Sequence, residues 1–315
     1  MIDFRYHLVS LIAVFLAVAL GIIIGTTQLN GPLTDNLQNQ VSALQTDKRA
    51  LEDQTQQLQA RLDDVGSFEE AVGPTLVEDA LTDRSVVLVL DGTDVATEVV
   101  EGVTALLGSA GATVTGTVRL TDAFGTADAE SSLSSYLTGP GLPASWTPPD
   151  SDDTGEQAAS LLAQVLMVPP TTADGPGAVP DAAATSTVLA GLEQLEVLSR
   201  DTSSVSPADF AVVLTTGEVE GEDADQRLEA LVQLVGALDA QGAGAVVAGD
   251  EDAAEEGGLV AAVRTDPTVT VSTVDNVATA AGRISTVLAL AAEGRGTTGA
   301  YGTGEDTQPV PPAAP

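Results

Sequence analysis

Residues that commonly carry chemistry are scarce in this 315-residue chain, which has no cysteine, one histidine and two methionines. The absence of cysteine excludes disulfides, thiolate catalysis, iron–sulfur clusters and cysteine zinc sites. With His7 as the lone histidine, a His-dependent catalytic triad is not expected. Cu(I) prefers thiolate, thioether and imidazole ligands, and beyond residue 7 only Met167 supplies one. A copper cage within a single chain is therefore hard to build.

Basic residues are also few. Lysine and arginine total 11 against 46 aspartates and glutamates, and the formal net charge is −35. Nucleic-acid binding needs clustered basic residues on phosphates, so we expect no nucleic-acid partner. Such acidity attracts cations diffusely, although its simpler and preferred explanation is solubility.

Enzyme signatures are missing too. The first predicted strand is not followed by G-x-G-x-x-G, and the chain contains neither a G-x-x-x-x-G-K-[ST] loop nor a G-x-S-x-G elbow. We therefore expect no enzymatic activity, no catalytic residues and no resident cofactor.

What the chain does have is a long apolar run near its start. Leu8 to Gly25 carries no charge, and its 18 residues span roughly 27 Å as a helix, enough for a thin bilayer core. Arg5 and His7 precede the run, and the next basic residue is Lys48. The positive-inside rule then places the N-terminus in the cytoplasm and the C-terminal part outside.

A cleaved signal peptide is the competing interpretation of this run. It requires a small-x-small cleavage site just after the apolar core, and none follows the bulky residues 22–24. We therefore favour a retained signal-anchor in a membrane of the cell envelope.

Small residues recur at every fourth position of the run, at Ala13, Ala17, Gly21 and Gly25. Such a ridge lets membrane helices approach each other closely. Alanine and glycine are also abundant in this chain, so the spacing is explained equally well by a helix-pairing face and by composition alone.

A heptad pattern follows the apolar run, after an interruption at Asn30-Gly31-Pro32. Its d positions are Leu37, Leu44, Leu51, Leu58 and Val65. Its a positions are Thr34, Val41, Lys48, Thr55 and Leu62. This spacing predicts a coiled-coil stalk of roughly 50 Å over residues 33–68 that makes the chain a homo-oligomer. The alternative is a single amphipathic helix lying on the globular part; the stalk is expected to end near Gly66 and Gly73-Pro74.

From residue 75 onward, strand and helix patterns alternate. Strands are predicted at 86–90, 112–120, 210–214, 245–248 and 269–271, and helices at 94–107, 156–167, 183–198, 224–239, 259–263 and 276–292. Loops rich in proline are predicted at 139–154 and 169–180. This alternation predicts an α/β fold, with an open, mostly parallel sheet and helices on both faces. The expected organisation is 1–29 N-terminus and membrane helix, 33–68 stalk, 75–293 extracytoplasmic α/β domain and 294–315 disordered tail.

In such sheets, ligands bind outside the carboxyl ends of the strands. Asp91, Asp250 and Asp275 fall there, and together they could hold a hard cation such as Mg²⁺ or Ca²⁺. Aspartate and glycine are also common in ordinary strand-to-helix turns, which is the preferred interpretation.

The N-terminal block MIDFRYHLVSLIAVFLAVALGIIIG and the Leu- and Gln-rich stalk resemble the actinobacterial copper transporter family typified by MctB, which also includes the cell-separation protein SteB. The resemblance implies copper efflux across the envelope, with copper as transported ion and an oligomeric pore. Met1, His7, Met167 or carboxylates would then contact copper. The SteB branch instead implies an anchored regulator with an envelope protein partner that promotes cell-wall hydrolysis during cell separation.

Overall fold

The computed structural model describes residues 4–29, 31–170 and 179–312, without the side chains of residues 4 and 26–36. Met1 and part of the second proline-rich loop lie outside these residues. The chain divides into two compact units, residues 1–65 and 66–315.

Helix α1 (Phe4–Leu29) contains the apolar run, and a single residue separates it from α2 (Gly31–Leu76). Among the described residues, Arg5–Gly25 is the segment long and apolar enough to cross a membrane, with a mean hydropathy of 2.9. The predicted membrane helix is thus present as a candidate span.

The second helix is longer than the sequence predicts, because it continues through Gly66 and Gly73-Pro74 to Leu76. A side chain on Gly73 would lie 3.1 Å from Ile284 and 3.3 Å from Leu106. The glycine therefore permits close packing and does not end the helix. Pro74 removes one amide hydrogen bond and its ring crowds the carbonyl of the preceding turn, and α2 ends two residues later at Leu76.

One mixed sheet organises the larger unit. Its strands are β1 (Ser85–Asp91), β2 (Thr113–Leu120), β3 (Leu198–Arg200), β4 (Phe210–Leu214), β5 (Ala245–Ala248), β6 (Ser272–Val274) and β7 (Ala300–Tyr301). They lie in the order β3-β2-β1-β4-β5-β6-β7, and neighbours are parallel except at β3, which runs antiparallel to β2.

Helices cover both faces of the sheet. On one face lie α3 (Thr97–Ser109) and α9 (Ala280–Glu293). On the other lie α4 (Ala127–Leu137), α5 (Thr154–Leu166), α6 (Ala182–Gln194), α7 (Ala224–Gln241) and α8 (Leu259–Thr265). In β1, Val87 and Val89 pack into one core while Leu88 packs into the other. The predicted mostly parallel α/β fold is confirmed, including a first strand that is buried on both sides.

Two predicted elements are wrong in detail. The helix expected over 183–198 ends at Gln194, and Leu198 begins the edge strand β3, because its backbone pairs with β2. The strand expected over 269–271 lies at Ser272–Val274, where Ser272 pairs with Val246 of β5. Apolar alternation therefore marked the wrong segment, since pairing with the buried β5 decides the position of this short polar strand.

Residues 294–312, the described part of the expected disordered tail, form an ordered segment. Its strand β7 pairs with β6, and the Tyr301 side chain is fully buried in the core. The carboxylate of Asp275 accepts hydrogen bonds from the amides of Thr303 at 2.8 Å and Gly304 at 3.2 Å. A buried aromatic and a capped turn therefore fix a segment whose composition alone is typical of disorder.

Candidate functional site

A cavity of about 420 Å³ opens at the carboxyl ends of β1, β4 and β5. The chain reverses its direction across the sheet between β1 and β4, since α3 and α7 cross over on opposite faces. The diverging loops leave a crevice at this switch point, where ligands of open α/β sheets bind. The cavity lies where the strand pattern predicts a binding site.

An ion pair forms the floor of the cavity. Asp91 is the last residue of β1, and its carboxylate accepts hydrogen bonds from Arg227 at 2.5 Å and from the Thr215 hydroxyl at 3.1 Å. Both charged side chains are buried. The pair joins the end of β1 to the first turn of α7, so Asp91 holds these two elements together at the cavity.

Asp250 follows β5 on the opposite wall. Its carboxylate accepts hydrogen bonds from the Thr216 hydroxyl and from the amides of Gly217 and Ala253, each amide at 2.9 Å. Partial burial acts to raise the pKa of Asp250, but these hydrogen bonds outweigh it and hold that pKa below its usual value. The charged carboxylate thus fixes the loops that follow β4 and β5.

Asp275 does not line this cavity. It follows β6, forms an ion pair with Arg264 at 3.1 Å and caps the turn after β7. The structure therefore brings Asp91 and Asp250 to one cavity and separates Asp275 from it.

The electrostatic character of the cavity is strongly acidic. Its lining contains Asp91, Asp94, Asp122, Glu218, Glu220, Asp250 and Asp252, against the single basic residue Arg227. A phosphate or nucleotide would meet like charge, whereas a cation or a basic side chain would be attracted. Gly92 and Gly217 line it with φ values of 74° and 67°, so tight turns bring their backbones to the wall.

Metal-ligand candidates are scattered in the described residues, which contain no group of three or more His, Asp or Glu side chains able to hold an ion. His7 is exposed on α1, and Met167 is buried beneath the sheet-covering helices. Met1 lies outside the described residues. A bound cation at Asp91, Asp250 and Asp275 stays a prediction, but these three carboxylates do not form one cluster.

The predicted association residues are all exposed in the single chain. This holds for the four small residues of α1, with open space around Gly21 and Gly25. It also holds for the d positions Leu37, Leu44, Leu51, Leu58 and Val65. Both stripes are accessible to another molecule, although their association stays a prediction.

Arg227 was not predicted as a site residue. The available signal was its place in the first turn of an apolar-faced helix, in a chain with only 11 basic residues. Asp94, Asp122, Glu218, Glu220 and Asp252 were also missed, because acidic loop residues are too common in this sequence to distinguish cavity from surface.

Comparisons with known proteins converge on one family. The family model described as "Copper transport outer membrane protein, MctB" matches residues 1–312. The chain is 32% identical over 314 residues to the copper transporter MctB of Mycobacterium tuberculosis, covering 98% of this chain and 99% of that protein. It is 33% identical over 314 residues to the copper transporter MctB of Mycobacterium leprae, covering 96% and 97% respectively.

Proposed function

This chain belongs to the MctB family, and from that premise we propose that it is a membrane-anchored cell-envelope protein that works in copper efflux as an assembly of several copies. The observation that carries the proposal is the extent of the family match, which runs from residue 1 to residue 312. It therefore includes the apolar helix, the stalk and the α/β domain together.

The proposed topology is a single span with the N-terminus in the cytoplasm. Arg5 lies at the start of the candidate span, and the next basic residue after His7 is Lys48, a charge bias that favours this orientation. The α/β domain is then extracytoplasmic. Retention of α1 as a signal-anchor is part of the proposal.

Several copies are needed because one helix cannot enclose a path for an ion. The exposed small-residue ridge of α1 and the exposed heptad stripe of α2 offer two association surfaces for this purpose. Copper passes as transported ion. Of the soft-metal ligands in the described residues, His7 is exposed on α1 and Met167 is buried, so His7 is the ligand we assign to the path.

The test is a deletion strain of the source organism challenged with copper, with cell-associated copper measured by elemental analysis. We expect copper to rise on deletion and to return to normal when the full chain is restored. His7→Gln should lose the rescue, while Tyr6→Phe on the same helix should keep it. Unchanged copper in the deletion strain would overturn the proposed function, and full rescue by His7→Gln would remove His7 from the copper path.

A second candidate is the SteB-like role, an anchored coiled-coil regulator of cell separation. It is favoured by the exposed leucine stripe, and by a cavity whose Asp91 and Asp250 are already engaged by Arg227, Thr216 and backbone amides. A regulator needs only an anchor, a spacer and a docking domain.

For this candidate, Leu44→Ser combined with Leu51→Ser should leave dividing cells chained. The matched control is Thr46→Ser combined with Asp53→Ser on the opposite helix face. Normal separation in the leucine variant would eliminate the regulator, whereas chained cells with normal copper would favour it over copper efflux.

A further inference from the structure

The stalk part of α2 carries an exposed apolar stripe. Every side chain described from residue 37 to residue 65 is exposed, and the four d-position leucines are between 50% and 67% exposed. Helices in proteins gain most of their stability from packing an amphipathic face, and the exposed stripe of α2 makes no such contribution in the single chain. A second surface that covers the stripe would supply this packing.

The middle of the stripe carries a charged layer. Lys48, the only lysine of the chain, occupies an a position, and its Nζ lies 3.4 Å from the carboxylate of Glu52. Asp47 stands at the adjoining g position and Glu52 at the e position. In the neighbouring heptads these positions are glutamines, namely Gln40, Gln45, Gln54 and Gln59. Acidic residues therefore flank the stripe only beside Lys48.

We propose that two copies of this chain pair through α2 as a parallel, in-register coiled coil, and that the layer of Asp47, Lys48 and Glu52 sets the register. The inference rests on the self-association in the proposed function and specifies how two stalks pair within that assembly. In a parallel pair, an a-position side chain packs beside the g residue of the other helix. Each Lys48 then lies between its own Glu52 and the second copy's Asp47.

Charge complementarity selects this register over its neighbours. A shift by one heptad places Lys48 beside glutamines and separates it from the second copy's acidic residues. It also leaves Asp47 and Glu52 without a lysine on the opposing helix. A polar a position costs stability but specifies register, and a shift of one heptad in either direction loses the contact between Lys48 and the second copy's Asp47.

The parallel orientation follows from the anchor. A single residue separates α2 from α1, which contains the candidate span. Two copies inserted in the same direction start their stalks at the same membrane surface, so the stalks run side by side. An antiparallel pair would require one copy to insert in the opposite direction.

Cysteine crosslinking tests the geometry, because the full chain has no cysteine of its own. Leu37→Cys and Leu58→Cys occupy d positions at the two ends of the stripe, and Asn39→Cys and Ala60→Cys are matched controls on the opposite face. Each variant is purified in detergent and treated with a short thiol-to-thiol crosslinker. We expect both d variants to yield several times more dimer than their controls. In an antiparallel pair, residues 37 and 58 cannot both lie beside the same residue of the second copy. Failure of either d variant to crosslink therefore overturns the proposal.

Charge reversal tests the layer. Lys48→Glu should weaken dimerisation about tenfold or more, since it removes the positive charges of the layer and places two further glutamates among Asp47 and Glu52 of both copies. Adding Asp47→Lys and Glu52→Lys to that variant should restore dimerisation. The control Thr46→Glu, on the outer face of the helix, should have little effect on dimerisation. The single tryptophan, Trp146, reports whether the α/β domain stays folded. An unaffected Lys48→Glu dimer, or a reversed layer that fails to restore pairing, would refute the role of Lys48.

The two proposals fail separately. Rescue of copper levels without the crosslinking pattern would reject the in-register pair and leave copper efflux standing. A clear crosslinking pattern with unchanged copper in the deletion strain would reject copper efflux and leave the pairing intact.

Discussion

Glu293 gives the α/β domain a stability that depends on pH. This last residue of α9 is only 7% exposed, and its carboxylate accepts a hydrogen bond of 2.5 Å from the amide of Ser272 at the start of β6. Asp239, at the end of α7, adds a like charge nearby. Burial is the main cause that raises the pKa of Glu293 from 4.5 to about 7, and Asp239 contributes in the same direction.

Proton linkage gives the direction in which Glu293 changes the free energy of unfolding with pH. The folded state binds the proton of Glu293 more tightly than the unfolded state, so this group favours folding at low pH. Its contribution declines as pH rises from 4.5 to about 7 and is constant above that. The full shift corresponds to about 3 kcal/mol, and relaxation of polar groups around the buried carboxylate is expected to reduce this to about 2 kcal/mol.

Glu293→Gln removes the charge and keeps an oxygen that can accept the Ser272 hydrogen bond. We expect the variant to exceed the parent by about 2 kcal/mol in free energy of unfolding at pH 8, and to match it near pH 4.5. The assay is urea unfolding of the full chain in detergent at several pH values. Trp146 fluorescence is a specific probe, since this only tryptophan packs against the core of the α/β domain.

The matched control is Glu305→Gln, an exposed glutamate of the C-terminal segment. Its difference from the parent should stay near zero at every pH. A Glu293→Gln advantage that does not change with pH, or a variant that is less stable than the parent at pH 8, would refute the reasoning about buried charge.

Three further changes test the packing of the α/β domain by the same urea assay. Asp91→Ala should cost about 3–5 kcal/mol, because it leaves the buried Arg227 guanidinium without its carboxylate; a cost below 1 kcal/mol would contradict a buried pair. Gly191→Ala should cost about 1–3 kcal/mol, since the added methyl would overlap the Tyr136 ring, and an unchanged midpoint would argue against this close approach. Tyr301→Ala should cost about 3–5 kcal/mol, which a disordered tail would not show.

The long buried strands were the part of the fold that local sequence predicts best. Residues 86–90, 210–214 and 245–248 are continuous apolar runs that end in glycine or small polar residues, and the structure places β1, β4 and β5 there. Such strands can be predicted from local sequence because burial on both faces requires apolar side chains at successive positions.

The short strands toward the edges of the sheet could not be predicted from local sequence. Strands β3, β6 and β7 have two or three residues each, and Ser272 and Thr273 are polar although buried. What places them is hydrogen bonding to a neighbouring strand, which no local pattern records. The C-terminal segment is ordered for the same reason.

The cavity residues also include some that the sequence predicts and some that it does not. The positions of Asp91 and Asp250 at strand ends could be predicted, because the carboxyl ends of parallel strands meet at one edge. Their partners could not, since Arg227 lies 136 residues from Asp91 and reaches it only once α7 packs on the sheet. The separation of Asp275 from the cavity also depends on strand order and on the turn after β7.

The apolar helix, the heptad stripe and the alternation of strands and helices can be predicted from residues close together in the chain, and the acidic character follows from composition. Tertiary structure alone decided which strands are neighbours, where the chain reverses across the sheet and which carboxylates share a cavity. It also decided that Glu293 is buried beside Asp239. These features depend on contacts between distant segments, whose geometry is fixed only when the two cores are packed.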